Sequence, residues 1–240
     1  MERLYRGVTR ITSIMLLGVS IVVLHEMGLL SSEVESPAGT VSEALSRMGT
    51  AVKKKNLEHR RLKNYRRYMD LVVSRDPKLE TVANHLVYRR CKQGDKACEA
   101  FHIARFVAKE IRYQPDGRGE GDYIRPWRQT YDSGSGDCED QAILLASLLE
   151  AVGMKTLMFF SKDHVYPGVC LPEKVENAHY LEEEGTYWPV TMGDTQLYCY
   201  PLEPTIQTSR LGHPPDTCIQ AVFDPKTEDR FNLVLDQECT

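Results

Sequence analysis

A cysteine stands at the start of an apolar helical segment, in the run Gly136-Asp137-Cys138-Glu139-Asp140. Gly153 is a typical stop signal for this helix. We therefore expect Cys138 in the first turn, where unpaired backbone N–H groups and the helix dipole favour a thiolate. The same N–H groups could hold the oxyanion that forms when this thiolate attacks a carbonyl. One core-facing stripe at helical spacing supports the helix: Ala142, Leu145, Ala146 and Leu149.

A histidine and a carboxylate that suit a cysteine nucleophile follow along the chain. His164 lies 26 residues after Cys138, and Glu203 stands in the run Leu202-Glu203-Pro204-Thr205. In such an arrangement the imidazole takes the thiol proton, and the acid fixes the tautomer and orientation of the imidazole. Asp194 is the alternative acid, although its Gly-Asp setting is also typical of a turn between strands.

These motifs resemble those of the transglutaminase-like superfamily, the papain-like cysteine enzymes with a Gly-Asp-Cys-x-Asp nucleophile motif. The resemblance extends over about residues 97–225. It begins with the helix that ends at Ile111-Arg112-Tyr113 and reaches Leu211-Gly212 beyond the acid motif. The fold that it implies is α+β, with a nucleophile helix packed on an antiparallel sheet.

The resemblance also implies a role for each site residue. Cys138 is the nucleophile, His164 the base and Glu203 the orienting acid, with Asp194 as the alternative acid. Asp140 matches the family's second acid, which implies a supporting role near the Cys–His pair; favourable pairing with the helix dipole is the simpler explanation of this acid. The chemistry requires no cofactor.

Other features of the sequence predict no metal or nucleic-acid site. The chain has no Cys-x-x-Cys pair, no His-Glu-x-x-His run and no EF-hand loop. Its net charge of −4 and hydrophobic content of 42% are typical of an ordinary globular domain. His179 is interpreted as a surface residue and is the fallback base should His164 prove inert.

The N-terminus predicts a membrane anchor. Residues 1–10 carry three arginines and precede an apolar segment at 11–30, which His25 and Glu26 interrupt. This segment reaches the length of about 20 residues that a span requires. The arginines on its N-terminal side predict a cytoplasmic N-terminus and an extracytoplasmic domain. A cleaved signal peptide, and hence a secreted protein, is the alternative.

Seven cysteines support an oxidising compartment. If Cys138 stays free, six remain for three disulfides. Sequence spacing favours a local pair between Cys91 and Cys98, and the other pairs are open among 15 possible pairings. We expect Cys170 with Cys199 and Cys218 with Cys239. A cytosolic protein with reduced thiols, or a covalent dimer through a seventh bridged cysteine, are the alternatives.

The rest of the chain divides into a linker with a stalk and one domain. Residues 31–75 begin small and polar and continue into a basic stretch with eight Lys or Arg among residues 53–67, which predicts a solvated helical stalk. Residues 76–240 predict the transglutaminase-like domain. There, Asp76-Pro77 opens a helix, a second helix follows, and five strands come after Gly153. Helices followed by antiparallel strands are typical of an α+β domain.

The functional prediction is a membrane-anchored cysteine hydrolase. It would act as a protease or amidase on a protein or peptide substrate, through an acyl-thioester at Cys138. A transglutaminase that transfers the acyl group to an amine is one alternative, because it shares the first half-reaction. A non-catalytic binding module that keeps the fold is the other.

Overall fold

Helices precede strands along the described part of the chain. The structure, a computed structural model, describes residues 64–117, 123–183, 185–213 and 218–231. In these ranges the helical part is followed by an antiparallel sheet, so the predicted α+β class is confirmed. The predicted segments 1–10 and 11–30, and most of 31–75, lie outside the described residues. Among the residues that are described, no helix combines the length and apolar character needed to cross a membrane.

The helical part consists of two helices that support a third. Asp76 caps the first helix, because its side chain accepts hydrogen bonds from the N–H groups of Lys78 and Leu79, as the sequence predicts. A short helix precedes the nucleophile loop, and its C-terminus is closed by Gly134 with a φ of 62°. Besides the helical residues 64–69, the described ranges contain four helices: α1 (Pro77–Val87), α2 (Lys96–Glu110), α3 (Trp127–Ser133) and α4 (Cys138–Ala151).

The strands form one large sheet and one small parallel pair. The pair joins the end of α2 to the nucleophile loop, because Tyr113 lies opposite Gly136. The strands are β1 (Arg112–Tyr113), β2 (Ser135–Gly136), β3 (Lys155–Phe160), β4 (Val165–Leu171), β5 (Trp188–Met192), β6 (Thr195–Pro201) and β7 (Ala221–Phe223). The large sheet has five antiparallel strands in the order β5-β6-β4-β3-β7.

Helix α4 lies at the centre of the described structure. It packs against β3 and β4 on one side and against α1, α2 and α3 on the other. Every residue from Glu139 to Glu150 is buried, as expected of a helix that is apolar almost all round. The first turn of α4 is consequently held in place by both layers.

Residues 64–75 pack on the domain, although the sequence analysis assigned them to the stalk. Residues 64–69 are helical, and Met69 is only 1% exposed. Its apolar side chain belongs to the cluster that contains Ala142 of α4 and Phe160 of β3. Farther along, the N–H of Val73 donates to Oγ of Ser147 at 3.0 Å. The burial of apolar side chains therefore extends the folded unit to residue 64 at least.

Two of the expected disulfides are confirmed. Cys91 is bonded to Cys98 across the turn between α1 and α2, and Cys170 is bonded to Cys199. The second pair joins directly opposed residues of β4 and β6. Cys218 is also disulfide-bonded, and its expected partner at position 239 lies outside the described residues.

Candidate active site

The nucleophile loop places Cys138 as the first residue of α4. Asp137 precedes it as the N-cap and accepts a hydrogen bond from the N–H of Asp140 at 3.4 Å. Gly136 is required by space, because a Cβ at this position would lie 2.6 Å from Cβ of Asp140. The Gly-Asp-Cys-x-Asp spacing therefore has a local structural reason. It brings a capping acid, a thiol and a second acid into one helical turn.

The thiol of Cys138 is half-buried and unbridged, and it contacts a neighbouring carboxylate. Sγ lies 3.0 Å from Oε2 of Glu139. Burial, followed by the Glu139 contact, raises the pKa of the Cys138 thiol, and a hydrogen bond from the Val165 backbone N–H only partly opposes this. The prediction of a thiolate at Cys138 is therefore wrong. Burial and the neighbouring carboxylate raise the pKa of the thiol by more than the helix N-terminus lowers it.

His164 and Glu203 form a close pair. His164 lies just before the first residue of β4. Its Nε2 lies 2.6 Å from Oε2 of Glu203. The other carboxylate oxygen, Oε1, accepts hydrogen bonds from the N–H of Thr205 at 2.9 Å and from its hydroxyl at 2.5 Å. Burial raises the pKa of Glu203, but the hydrogen bonds from His164 and Thr205 outweigh it and hold that pKa below its ordinary value. Nε2 therefore donates to an ionised carboxylate, which leaves Nδ1 for a second partner.

The structure separates the two candidate acids. Glu203 is 3% exposed and bonds His164 directly. Asp194 is exposed and lies in the turn between β5 and β6, after Gly193 with a φ of 61°. Asp194 therefore occupies a turn between strands, as its Gly-Asp setting predicts.

Asp140 holds the long loop before α3 against the site. Its Oδ1 accepts a hydrogen bond from the N–H of Arg125 at 2.7 Å, and Oδ2 lies 3.2 Å from Nη1 of the same residue. Burial raises the pKa of Asp140 to about 6 despite these contacts, and the negative charge of Asp137 adds to the effect. Asp140 therefore holds in place the loop that contains Arg125.

Three residues that the sequence analysis did not select surround the site. Glu139 contacts the thiol, as described. Tyr166 stacks on the imidazole of His164, with ring centroids 5.8 Å apart, and is fully buried. Tyr113 is exposed at the end of β1, and the pKa of its hydroxyl is raised, by burial first and then by electrostatic interaction with Cys138. Strand alternation is the signal for Tyr166, since positions 164 and 166 share one face.

One cleft contains both Cys138 and His164. Its volume is about 330 Å³, and Glu139 and Val165 also line it. The aromatic side chains of Tyr65, Tyr68 and Phe160 lie on its wall, and Ser161, Lys162, Asp163, Asn64 and Gln220 complete the lining. A thiol and an imidazole that share one cleft can act on the same bound carbonyl.

His179 and one cysteine cluster lie apart from this cleft. His179 is exposed and its ring packs against Phe101 and Tyr180. The side chains of Cys91, Cys98 and His102 come within 4.8 Å of one another in the described structure. Cys91 and Cys98 are bonded to each other, so their sulfurs are not thiolate ligands for a metal.

Comparison with known proteins agrees with the resemblance found in the sequence. The model of the transglutaminase-like superfamily matches residues 85–170, a range that includes Cys138 and His164. Residues 85–170 are therefore similar to the transglutaminase-like superfamily. The match ends before Glu203. No curated protein matches the chain.

Solved structures with a similar shape share little sequence with this chain. A candidate cysteine protease from Cytophaga hutchinsonii is 12% identical, with a TM-score of 0.37; the match covers 70% of this chain and 55% of that protein. This chain therefore spans about half the length of that protein. LapG from Legionella pneumophila is 16% identical, with a TM-score of 0.33, over 61% of this chain and 82% of LapG. EGTA-treated LapG gives the same identity and TM-score, with 80% of LapG covered.

Proposed function

We propose that this chain is a cysteine hydrolase that cleaves amide bonds through an acyl-thioester at Cys138. The observation that carries the proposal is the shared cleft, which is lined both by the free thiol of Cys138 at the start of α4 and by His164. That histidine is oriented by a buried carboxylate at 2.6 Å. The match of residues 85–170 to the transglutaminase-like superfamily supports the same chemistry.

In the proposed reaction, His164 accepts the thiol proton on Nδ1, because Glu203 holds Nε2. The thiolate of Cys138 then attacks the carbonyl carbon, and the developing oxyanion is stabilised by backbone N–H groups at the start of α4. His164 returns the proton to the amine, which leaves as the C–N bond breaks. Water then attacks the thioester with His164 as base, which releases the acid and restores the thiol.

Before this reaction begins, the resting thiol of Cys138 must leave Glu139 and turn toward His164. In the structure Sγ contacts Glu139, and the raised pKa keeps it protonated. A bound carbonyl that displaces the Glu139 carboxylate would let the thiol turn to His164. Proton transfer and attack are then coupled to substrate binding, as in enzymes whose nucleophile is activated by an adjacent base.

The proposed setting is an oxidising compartment, with a protein or peptide as substrate. The bonds Cys91–Cys98 and Cys170–Cys199 support such a compartment. The predicted N-terminal anchor would hold the domain at the outer face of a membrane. Both parts of this setting are proposals.

The test is turnover by the full-length chain without reducing agent. The substrates are peptide aminomethylcoumarin amides, and intact mass reports an acyl group on Cys138. Cys138→Ala should abolish turnover, and His164→Ala and Glu203→Gln should lower it, the former by about 10²–10⁴-fold. His179→Ala and Asp194→Asn are matched controls with unchanged turnover.

Each alternative has its own outcome in this experiment. Full turnover by Cys138→Ala would overturn the proposal. A product that carries added cadaverine in place of water would assign a transglutaminase. A wild-type chain that neither turns over nor acylates Cys138 with any member of the peptide panel would assign a binding module.

A further inference from the structure

Three aromatic rings form a continuous surface beside the thiol, defined here as the aromatic wall: Tyr65, Tyr68 and Phe160. The ring centroids of Tyr65 and Phe160 are 4.5 Å apart, and those of Tyr68 and Phe160 are 5.6 Å apart. Phe160 is buried beneath, whereas both tyrosines are only partly buried. The tyrosines therefore present ring surface that a bound group can cover.

The segment that carries the two tyrosines is firmly attached to the domain. Met69, one turn after Tyr65, is buried in the apolar cluster with Ala142 and Phe160. Nε of Arg66 donates to Oε2 of Glu228 at 2.9 Å. These contacts on both sides of the wall hold its rings in place before any ligand arrives, which lowers the entropy cost of binding.

The aromatic wall is continuous with the candidate active site. Its three rings line the same cleft as Cys138 and His164. The cleft volume of about 330 Å³ is near the lower end of the roughly 300–1,000 Å³ typical of ligand pockets. Such a cleft accommodates one or two residues around a reacting carbonyl, so the group that covers the wall is close to that carbonyl.

We propose that the aromatic wall selects substrates with an aromatic or other large apolar side chain within one residue of the reacting carbonyl. The proposal rests on the proposed function and names its substrate class. An aromatic side chain stacked on Tyr65 or Tyr68 removes apolar surface from water, and each aromatic pair adds about 0.5–1.5 kcal/mol beyond that burial. Acidic or small side chains at this position gain neither effect.

The test compares two thiol-reactive probes that share one reactive group. These are N-benzyl-2-chloroacetamide and 2-chloroacetamide, used on the full-length chain without reducing agent, with peptide mass mapping of Cys138. The selectivity is the ratio of the two second-order labelling rates, which divides out changes in thiol reactivity that affect both probes. In the wild type this selectivity should be about tenfold, from one aromatic contact and its burial.

Tyr65→Leu and Tyr68→Leu should each lower the selectivity about threefold or more. Tyr88→Ala is the matched control, because this tyrosine is 80% exposed and lies outside the cleft. A second measurement needs no substitution: phenylacetamide should slow benzyl-probe labelling of the wild type, whereas acetamide at the same concentration should not.

The outcomes separate this proposal from the proposed function. Equal labelling of Cys138 by both probes, or equal competition by both amides, overturns the aromatic wall and leaves the nucleophile standing. The proposal is also overturned if Tyr65→Leu and Tyr68→Leu show the same selectivity as Tyr88→Ala. If neither probe labels Cys138, the aromatic wall is overturned, because a bound benzyl group then fails to bring the reactive carbon to the thiol, whereas the proposed function is decided by turnover of the peptide amides alone.

Discussion

At Cys138, two electrostatic influences act on the same sulfur in opposite directions. The start of α4 and the Val165 N–H favour the thiolate, whereas burial and the carboxylate of Glu139 favour the thiol. A helix terminus contributes about 0.3–1 kcal/mol, which is less than the effect of burial next to a negative charge. The resting thiol is therefore protonated, chiefly because it is buried, and the carboxylate of Glu139 adds to this effect.

Replacing Glu139 with Gln should lower the pKa of the Cys138 thiol. Removing a negative charge 3.0 Å from Sγ stabilises the thiolate, so the fraction of thiolate at neutral pH rises. Each unit of pKa change gives about tenfold more thiolate, and we expect iodoacetamide to label Cys138 about tenfold faster at pH 7. The measurement is the labelling rate against pH, with the exposed Glu173→Gln as control. An unchanged profile would show that Glu139 does not govern the thiol.

Asp140 should make the protein less stable as the pH rises from about 4 to 7. Its pKa in the fold is about 6, above the ordinary 3.8, so the unfolded chain releases this proton first. The stabilising contribution is therefore complete below pH 3.8 and is lost as the pH rises through about 6. The corresponding loss in the free energy of unfolding is on the order of 3 kcal/mol.

The comparison that isolates this effect is urea unfolding of the wild type and Asp140→Asn at pH 4.5 and pH 7. The amide side chain of the variant does not titrate, so the difference between the two proteins should shift in favour of the variant at pH 7. An identical pH dependence of the two proteins would mean that another group dominates this range.

At the scale of elements, each part of the candidate site comes from a different one. Helix α4 supplies the thiol, the start of β4 supplies the imidazole, and the chain after β6 supplies the carboxylate. Because α4 is buried between the sheet and the other helices, its first turn cannot shift without disturbing both layers. Residues 64–69 add a further element that the sequence analysis placed in the stalk.

Met69→Ala should test how strongly residues 64–69 are attached. Met69 is 1% exposed and packs among Ala142, Met158 and Phe160. Truncation leaves a cavity, and we expect a loss of about 2–5 kcal/mol in the free energy of unfolding. Met69→Leu keeps most of the volume and should cost less than about 1.5 kcal/mol. Equal and small losses in urea unfolding would mean that the segment contributes little to the fold.

At the scale of the whole molecule, the two disulfides that have both partners among the described residues cross-link different parts of the chain. The bond between Cys91 and Cys98 closes a loop with a separation of 7, and the bond between Cys170 and Cys199 closes one with a separation of 29. A longer loop restricts the unfolded chain more. By loop entropy, the first contributes about 2.5 kcal/mol and the second about 3.6 kcal/mol.

Removing the bond between the strands should therefore destabilise the protein more than removing the local one. The variants are the double serine substitutions at each pair, compared by urea unfolding without reducing agent. Addition of a reductant to the wild type should cost at least as much as the larger of the two. A larger loss of stability on removal of the Cys91–Cys98 bond would mean that native contacts, and not chain entropy, determine the contribution of each bond.

The membrane anchor and basic stalk remain predictions, since residues 1–63 lie outside the described structure. In the described part, local patterns in the sequence were sufficient for much of the fold. Asp76-Pro77 and Gly153 predict the ends of helices because capping and left-handed turns depend on a few neighbouring residues. Short apolar runs between turn signals likewise predict strands such as Val165–Leu171.

The sequence alone did not determine which distant residues contact one another. The choice of Glu203 over Asp194 beside His164, the aromatic wall and the burial of Met69 all join residues far apart in sequence. The protonated state of Cys138 belongs here too, although Glu139 is its neighbour. Whether that carboxylate turns toward Sγ, and how much solvent remains, depends on the packing around α4. A pattern of residue types specifies local geometry, whereas solvent exposure and charge separation arise only from the packed layers.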